Sequence, residues 1–142
     1  MDLQEFEFLT KVEFKRNKFY SVEELKELFS SVQWKSSEKP EILQEAFIKS
    51  SHVIGAYYGT SLLGIIRSMD DSCWSANIDC LIVKPSFQNI GIGSRLLEEL
   101  LYDLKEVRYI NVCPDSKEAE RFYSKFGFKI INGMYLQKEN VV

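Results

Sequence analysis

The 142 residues include one histidine, three cysteines, three prolines and seven glycines. Each scarcity excludes something. The single histidine, His52, has no ligand cluster around it, so no metal centre is expected. Cys73, Cys80 and Cys113 are odd in number and contain no C-x-x-C pair. That argues against a disulfide framework and for reduced thiols in a cytoplasmic protein. No apolar run is long enough to span a bilayer. The acidic start Met1-Asp2-Leu3-Gln4-Glu5 lacks the basic-then-apolar order of a signal peptide. Positive charge is not in excess either: 18 Lys and Arg stand against 21 Asp and Glu, for a net charge of −3. Broad nucleic-acid binding needs a basic face, so it is not expected. There is no internal repeat, linker or low-complexity stretch, and the chain reads as one domain over residues 1–142.

What is present is a folded chain, 45% hydrophobic and 13% aromatic, with enough length for its own core. Glu5 to Val12 alternates loosely and predicts a first strand. Ser21-x-x-Glu24 is a capping box. It opens a helix with Leu25, Leu28, Phe29 and Val32 on one face and Trp34 beyond its end. Pro40 suits the first turn of a second helix, with Ile42, Leu43, Ala46 and Phe47 as its apolar face. Val53–Tyr58 and Leu62–Met69 predict a hairpin around Gly59-Thr60-Ser61, and Trp74–Val83 a long strand after Asp70-Asp71-Ser72. Leu96, Leu97, Leu100, Leu101 and Leu104 give the next helix its stripe. Tyr109–Val112 follows as a short strand, parallel to the one before that helix. A last helix covers Glu118 to Phe126 and ends at Gly127. Phe128–Ile131 and Met134–Lys138 predict a final hairpin around Asn132-Gly133.

The most informative stretch is Leu81-Ile82-Val83-Lys84-Pro85-Ser86-Phe87-Gln88-Asn89-Ile90-Gly91-Ile92-Gly93-Ser94-Arg95. Pro85 stops a strand, and a helix begins near Gly91 to Gly93. A helix N-terminus offers unpaired N–H groups and positive potential, and the glycines leave the backbone bare, which suits a phosphate or pyrophosphate. It is not a P-loop, because no Lys follows Gly93. It is not the dinucleotide fingerprint, because Leu96 stands where a third small residue is needed.

Gln88-x-x-Gly91-x-Gly93, after Val-x-Pro and before a leucine-rich helix, resembles the acyl-CoA pyrophosphate loop of the GNAT superfamily of N-acetyltransferases. Phe122-Tyr123-x-x-x-Gly127-Phe128 is similar to a second segment of that family. The resemblance runs from about Val53 to Met134. It implies an α/β fold with a mixed, largely antiparallel central sheet of about six or seven strands flanked by about four helices. It also implies acetyl-CoA as co-substrate. Backbone groups of Gln88, Asn89, Ile90, Gly91, Ile92, Gly93 and Ser94 would hold the pyrophosphate. Leu81, Ile82 and Val83 would bond the pantetheine arm, with an N–H near Ile82 facing the thioester carbonyl. Arg95, Lys84 or Lys117 could offset phosphate charge or simply be solvated. Ser116 stands where many members carry an Asn that holds CoA, and Asn111 could compensate.

Acetyl transfer to an amine also needs a base, because a primary alkylamine is mostly protonated at neutral pH. Asp79 lies where the family often carries a carboxylate base that works through water. The alternative is an Asp that only hydrogen-bonds at the strand. Tyr123 is the implied acid toward the thiolate, with an ordinary core tyrosine as the alternative. Trp34, Trp74, Asp79 and Tyr135 could line an amine site suited to a small cationic amine. Asp79-x-Leu81-x-Val83-x-Pro85-x-x-Gln88, with Gly133-Met134 later, carries a more distant resemblance to the branch containing plant and bacterial serotonin-type N-acetyltransferases, which implies an arylalkylamine acceptor. A polyamine, a peptide or protein amine, a CoA-binding regulatory module and an interaction domain are the other readings. Members of the family often dimerise through late strands, so a homodimer is an implied partner.

Overall fold

The computed structural model describes residues 2–138. The chain divides into two compact units, Met1–Val112 and Cys113–Val142.

The first unit opens with a helix where alternation predicted a strand: α1 spans Leu3–Thr10. The reason is a reciprocal cap. Asp2 Oδ1 accepts the Glu5 N–H at 2.8 Å, and Glu5 Oε2 accepts the Asp2 N–H at 3.1 Å. Asp2 satisfies the helix start as Ser or Thr would, and that outweighs a loose two-residue period. The first strand, β1, is instead Glu13–Lys15. Helix α2 (Val22–Ser31) forms on the expected Ser21/Glu24 box and buries Leu25, Leu28 and Phe29. A short 3-10 turn at Lys35–Glu38 leads to α3 (Pro40–Ile48), which buries Leu43 and Phe47 and leaves Ile42 exposed.

Strands β2 (His52–Tyr58), β3 (Ser61–Asp70) and β4 (Ser75–Val83) follow, then α4 (Ile92–Asp103) and β5 (Tyr109–Val112). The sheet order is β1-β2-β3-β4-β5, antiparallel throughout except for the parallel β4·β5 pair. Tyr58 pairs with Ser61 across a two-residue turn in which Gly59 has φ 61°. The β3–β4 turn is held by Asp71. Its Oδ1 accepts the N–H groups of Cys73, Trp74 and Ser75 at 3.0, 2.7 and 3.1 Å, which hold this carboxyl below the usual carboxylate range.

Helices pack on both faces of the sheet. Tyr20, Leu25, Leu28, Phe29, Leu43 and Phe47 form one buried cluster with Val53, Ile65 and Ile82 of the strands. On the other face lies α4, with Leu96, Leu97 and Leu100 buried. Gly64 marks the change of side. A Cβ there would lie 3.3 Å from Leu96 Cδ1 and 2.8 Å from the Ile82 carbonyl oxygen, so no side chain fits. Its neighbour Ile65 faces the α2–α3 cluster.

In the second unit, α5 is Lys117–Ser124. Phe122 and Phe128 pack on the Tyr123 ring at 5.2 and 5.4 Å. Gly127, at φ 93°, takes the left-handed position past the helix end, where glycine carries no steric penalty. The final hairpin expected over Phe128–Ile131 and Met134–Lys138 does not form, and residues 128–138 have no regular secondary structure. Ile130, Ile131, Met134, Tyr135 and Leu136 are all more than 70% exposed. Two strands without an apolar face to bury are only marginally stable. Among the described residues the sheet thus has five strands instead of about six or seven, and α1 brings the α-helices to five instead of about four.

Candidate active site

Strand β4 pairs with β5 only from Ser75 to Ile78, opposite Tyr109 to Val112. Past Ile78, the residues Asp79 to Val83 keep β3 on one side and have no β5 residue on the other. A bulge accompanies this change. Ile65 pairs with Ile82 but Arg67 pairs with Asp79, so β4 carries one extra residue between them. Cys80 takes up the irregularity at φ 60°. Bulges re-aim side chains and end pairing, and here one sits where the β4 edge opens.

The direction of the backbone at that edge follows from one bond. Lys84 N–H donates to the Leu63 carbonyl at 2.9 Å. In an antiparallel ladder this makes Gly64/Val83 a non-hydrogen-bonded pair. Val83 therefore turns its N–H and C=O away from β3, toward the open edge. Ile82 belongs to the hydrogen-bonded pair with Ile65, so its N–H is committed to the ladder. The N–H turned toward this edge is that of Val83, next to Ile82.

The glycine loop folds back on this edge. Gln88 Nε2 donates to the Val83 carbonyl at 2.9 Å. The Gln88 N–H itself goes to the Pro85 carbonyl at 3.2 Å and that of Phe87 to Lys84 at 2.9 Å, closing a 3-10 turn over Pro85–Phe87. Gln88 is thus a clamp, and its N–H is spent. The donors left for a ligand begin at Asn89. Asn89 at φ 66° and Gly91 at φ 104° carry the chain through left-handed backbone into α4. Gly91 is the N-cap, and no side chain caps this helix. The N–H groups of Ile92, Gly93 and Ser94 lie in the first turn, where no intrahelical carbonyl reaches them. Capping side chains do occupy the starts of α1, α2 and α5.

Residues 16–141 match the acetyltransferase (GNAT) domain. The chain belongs to that family. An uncharacterized N-acetyltransferase, ycf52, of Pyropia yezoensis is 26% identical over 129 residues, which cover 83% of this chain and 73% of the relative. The histone acetyltransferase TAP1 of Glycine max is 31% identical over 94 residues, or 62% of this chain. The matched region spans only 40% of the Glycine max protein. A GNAT family acetyltransferase structure from Streptococcus pneumoniae superposes with a TM-score of 0.77 at 28% identity, covering 91% of this chain and 99% of that one.

In this GNAT domain the candidate base, Asp79, is part of an ion pair. Arg67 Nη2 donates to Asp79 Oδ2 at 2.6 Å, and the Asp79 side chain is 44% exposed against 15% for Arg67. Arg67 Nη1 reaches Ser50 Oγ at 3.2 Å, and its guanidinium lies 5.3 Å from the Phe47 ring centre. Its Nε is buried without a hydrogen-bond partner among the described residues. The Cys80 thiol points at Asp79 Oδ2 from 3.4 Å. Burial, with the Asp79 charge beside it, pushes that thiol up to about 12. Arg67 was not singled out from sequence, although a charged residue two positions after Ile65 in the run Leu62-Leu63-Gly64-Ile65-Ile66-Arg67 was a readable signal.

Within the first unit, the proposed amine-site aromatics Trp34 and Trp74 stand at different places. Trp34 packs with Val32 and Cys80 against the α2–α3 cluster, its ring 5.9 Å from Phe29. Trp74 precedes β4 at the end opposite the loop, its ring tilted 60° against that of Tyr109 at 5.4 Å, with the Arg108 guanidinium at 5.7 Å. At about 3.3 Å per residue it lies some 16 Å along the chain from Asp79. Asn111 is exposed on β5, opposite Asn77. In the second unit, Ser116 Oγ is the N-cap of α5 and accepts from Ala119 N–H at 3.1 Å. Tyr123 is buried and Tyr135 exposed.

The three candidate cations are each engaged. Lys84 Nζ holds Glu27 at 2.8 Å, Arg95 Nε holds Glu99 at 3.1 Å, and Lys117 Nζ holds Glu120 at 3.2 Å. Among the described residues no His/Cys/Asp/Glu group of three or more could hold a metal, and no helix is long and apolar enough to cross a membrane.

Proposed function

We propose that this chain transfers the acetyl group of acetyl-CoA to a primary amine, by direct attack within a ternary complex. The observation that carries the reading is the uncapped start of α4, reached through left-handed Asn89 and Gly91 and following directly on an open β4 edge. First-turn N–H groups with no side chain over them suit a pyrophosphate. A strand edge toward which the Val83 N–H turns suits an extended arm that adds beside it. The same N–H is the candidate oxyanion donor.

Asp79 accepts the ammonium proton through a water. The amine nitrogen then attacks the thioester carbonyl carbon, and collapse of the tetrahedral oxyanion breaks the C–S bond. Tyr123 supplies a proton to the departing thiolate and is reprotonated as the attacking nitrogen sheds its second proton, a role that rests on the Phe-Tyr-x-x-x-Gly-Phe resemblance. Acylation of the protein is disfavoured at the nearest thiol, because Cys80 with its raised pKa stays protonated and is a poor nucleophile.

The acceptor in this proposal is a small amine, with Trp34 as its aromatic neighbour and a homodimer as the assembled form. A peptide or protein amine is the second reading. It draws on the Glycine max relative, which is a histone acetyltransferase by name. Thiol release from acetyl-CoA against tryptamine, serotonin, spermidine, free amino acids and short peptides tests both. A hit names the acceptor class. Silence, together with confirmed acetyl-CoA binding, removes the small-amine reading.

A further inference from the structure

Helix α1 lies ahead of the region that matches the family, which begins at residue 16. None of its residues is fully buried, and Leu3 and Phe6 are 72% and 55% exposed. One side chain links it to both the sheet and the loop. The Phe8 ring stacks on Phe87 with centroids 5.6 Å apart and planes 17° apart, and meets Tyr58 at 4.8 Å. Tyr58 is the last residue of β2, so one flank of this three-ring contact is anchored in the sheet.

The other flank is the cofactor loop. Phe87 is the final residue of the Pro85–Phe87 turn, and its successor Gln88 is the clamp on the Val83 carbonyl. Two residues later the backbone enters the left-handed positions that present the α4 donors. The turn has no buried residue of its own, so Phe8 supplies packing that Pro85–Phe87 lacks.

From this contact we infer that α1 is a buttress for the acetyl-CoA loop, and that Phe8 is a positioning residue that sets cofactor affinity by bridging Phe87 to Tyr58. The inference rests on the reading of Gln88–Ser94 as the cofactor loop. It carries a reciprocal consequence. If docked α1 favours the binding-competent loop, then a ligand on the loop must favour docked α1 by the same factor.

Two measurements on the full chain test it. In calorimetry with acetyl-CoA, Phe8→Ala raises Kd about three- to tenfold, the size expected for losing an aromatic pair. The KM for the amine and the kcat at saturating acetyl-CoA do not move. Phe6→Ala, on the exposed side of α1, leaves Kd unchanged. In hydrogen exchange on the unaltered chain, acetyl-CoA slows the amides of residues 3–10 as well as those of the loop. A helix that is only a stability element would lower the melting temperature without the Kd shift and without ligand-dependent protection. Wild-type binding with an unchanged Phe8→Ala Kd and unprotected α1 amides overturns the inference alone. Failure of the unaltered chain to bind acetyl-CoA overturns the loop reading and this inference with it.

Discussion

Arg67 donates from Nη2 to Asp79 Oδ2 at 2.6 Å, across the β3–β4 pair that flanks the bulge. The pair ties the proposed base to a guanidinium packed on Phe47. Removing one partner of a buried ion pair costs about 3–5 kcal/mol. Asp79 is 44% exposed, so solvent screens much of that, and a loss of about 1–2 kcal/mol is expected for Asp79→Asn in urea denaturation. Activity should fall most at low pH, where free amine is scarce and a base matters most. A loss that is flat across pH would assign Asp79 to amine binding.

Gly91 should tolerate no side chain. At φ 104°, Gly91→Ala places a Cβ in left-handed backbone and costs about 1–2 kcal/mol of stability. Gly91→Glu adds a negative charge at the start of α4, where the proposed pyrophosphate sits, and abolishes acetyl-CoA binding in calorimetry. Retained affinity would show that the cofactor binds elsewhere.

Legibility followed the range of the interactions. The Ser21/Glu24 cap, the Pro40 start, the Leu96-Leu97-Leu100 stripe and the Gln88–Gly93 loop are local patterns, and each stands where the sequence put it. The start of α1 is equally local, but its cap is Asp2, and the loose alternation of Glu5–Val12 reads as a strand. The last hairpin failed for the opposite reason: turn chemistry at Asn132-Gly133 is local, whereas a strand needs something to bury Ile130, Met134 and Leu136. The β4 bulge, the direction of the Val83 peptide and the Arg67–Asp79 pair depend on register between strands, which one strand's sequence does not encode. Trp74 was grouped with Asp79 by type, although a strand's length separates them.

Cys80 offers a kinetic test. With its thiol pushed up to about 12 by burial and by Asp79, thiolate is scarce at neutral pH. Double-reciprocal plots over both substrates should intersect, as for a ternary complex. Incubation with acetyl-CoA alone should add no 42-dalton acetyl mass to the protein, a value that follows from the acetyl group itself. Parallel lines, or an acetylated Cys80 that turns over when amine is added, would establish a covalent route.

Arg16 links the segment after β1 to α4 through Glu99 and Asp103, both at 2.7 Å. Hydrogen bonds from Arg16 and then Arg95 hold the Glu99 carboxyl below its ordinary 4.5. A carboxyl with a lowered folded-state pKa contributes stability that is full above its unfolded value and is lost as pH falls through the folded value. Arg16→Ala should therefore cost about 1 kcal/mol at pH 7, the scale of a small surface network. The difference from the unaltered chain should shrink once pH drops below about 4. A gap of constant size down to pH 2 would mean that Arg16 acts through packing.

Tyr123 separates catalysis from folding most sharply, because its burial fits either role. Tyr123→Phe keeps the ring that packs on Phe122 and Phe128 and removes only the hydroxyl. As the acid, its loss should lower kcat about 10²-fold, the lower end of what a positioned proton donor contributes. The acetyl-CoA Kd should stay close to that of the unaltered chain. An unchanged kcat would mean that the thiolate leaves unprotonated and would return Tyr123 to the core. The split between kcat and Kd decides, since a packing defect would move stability and affinity together.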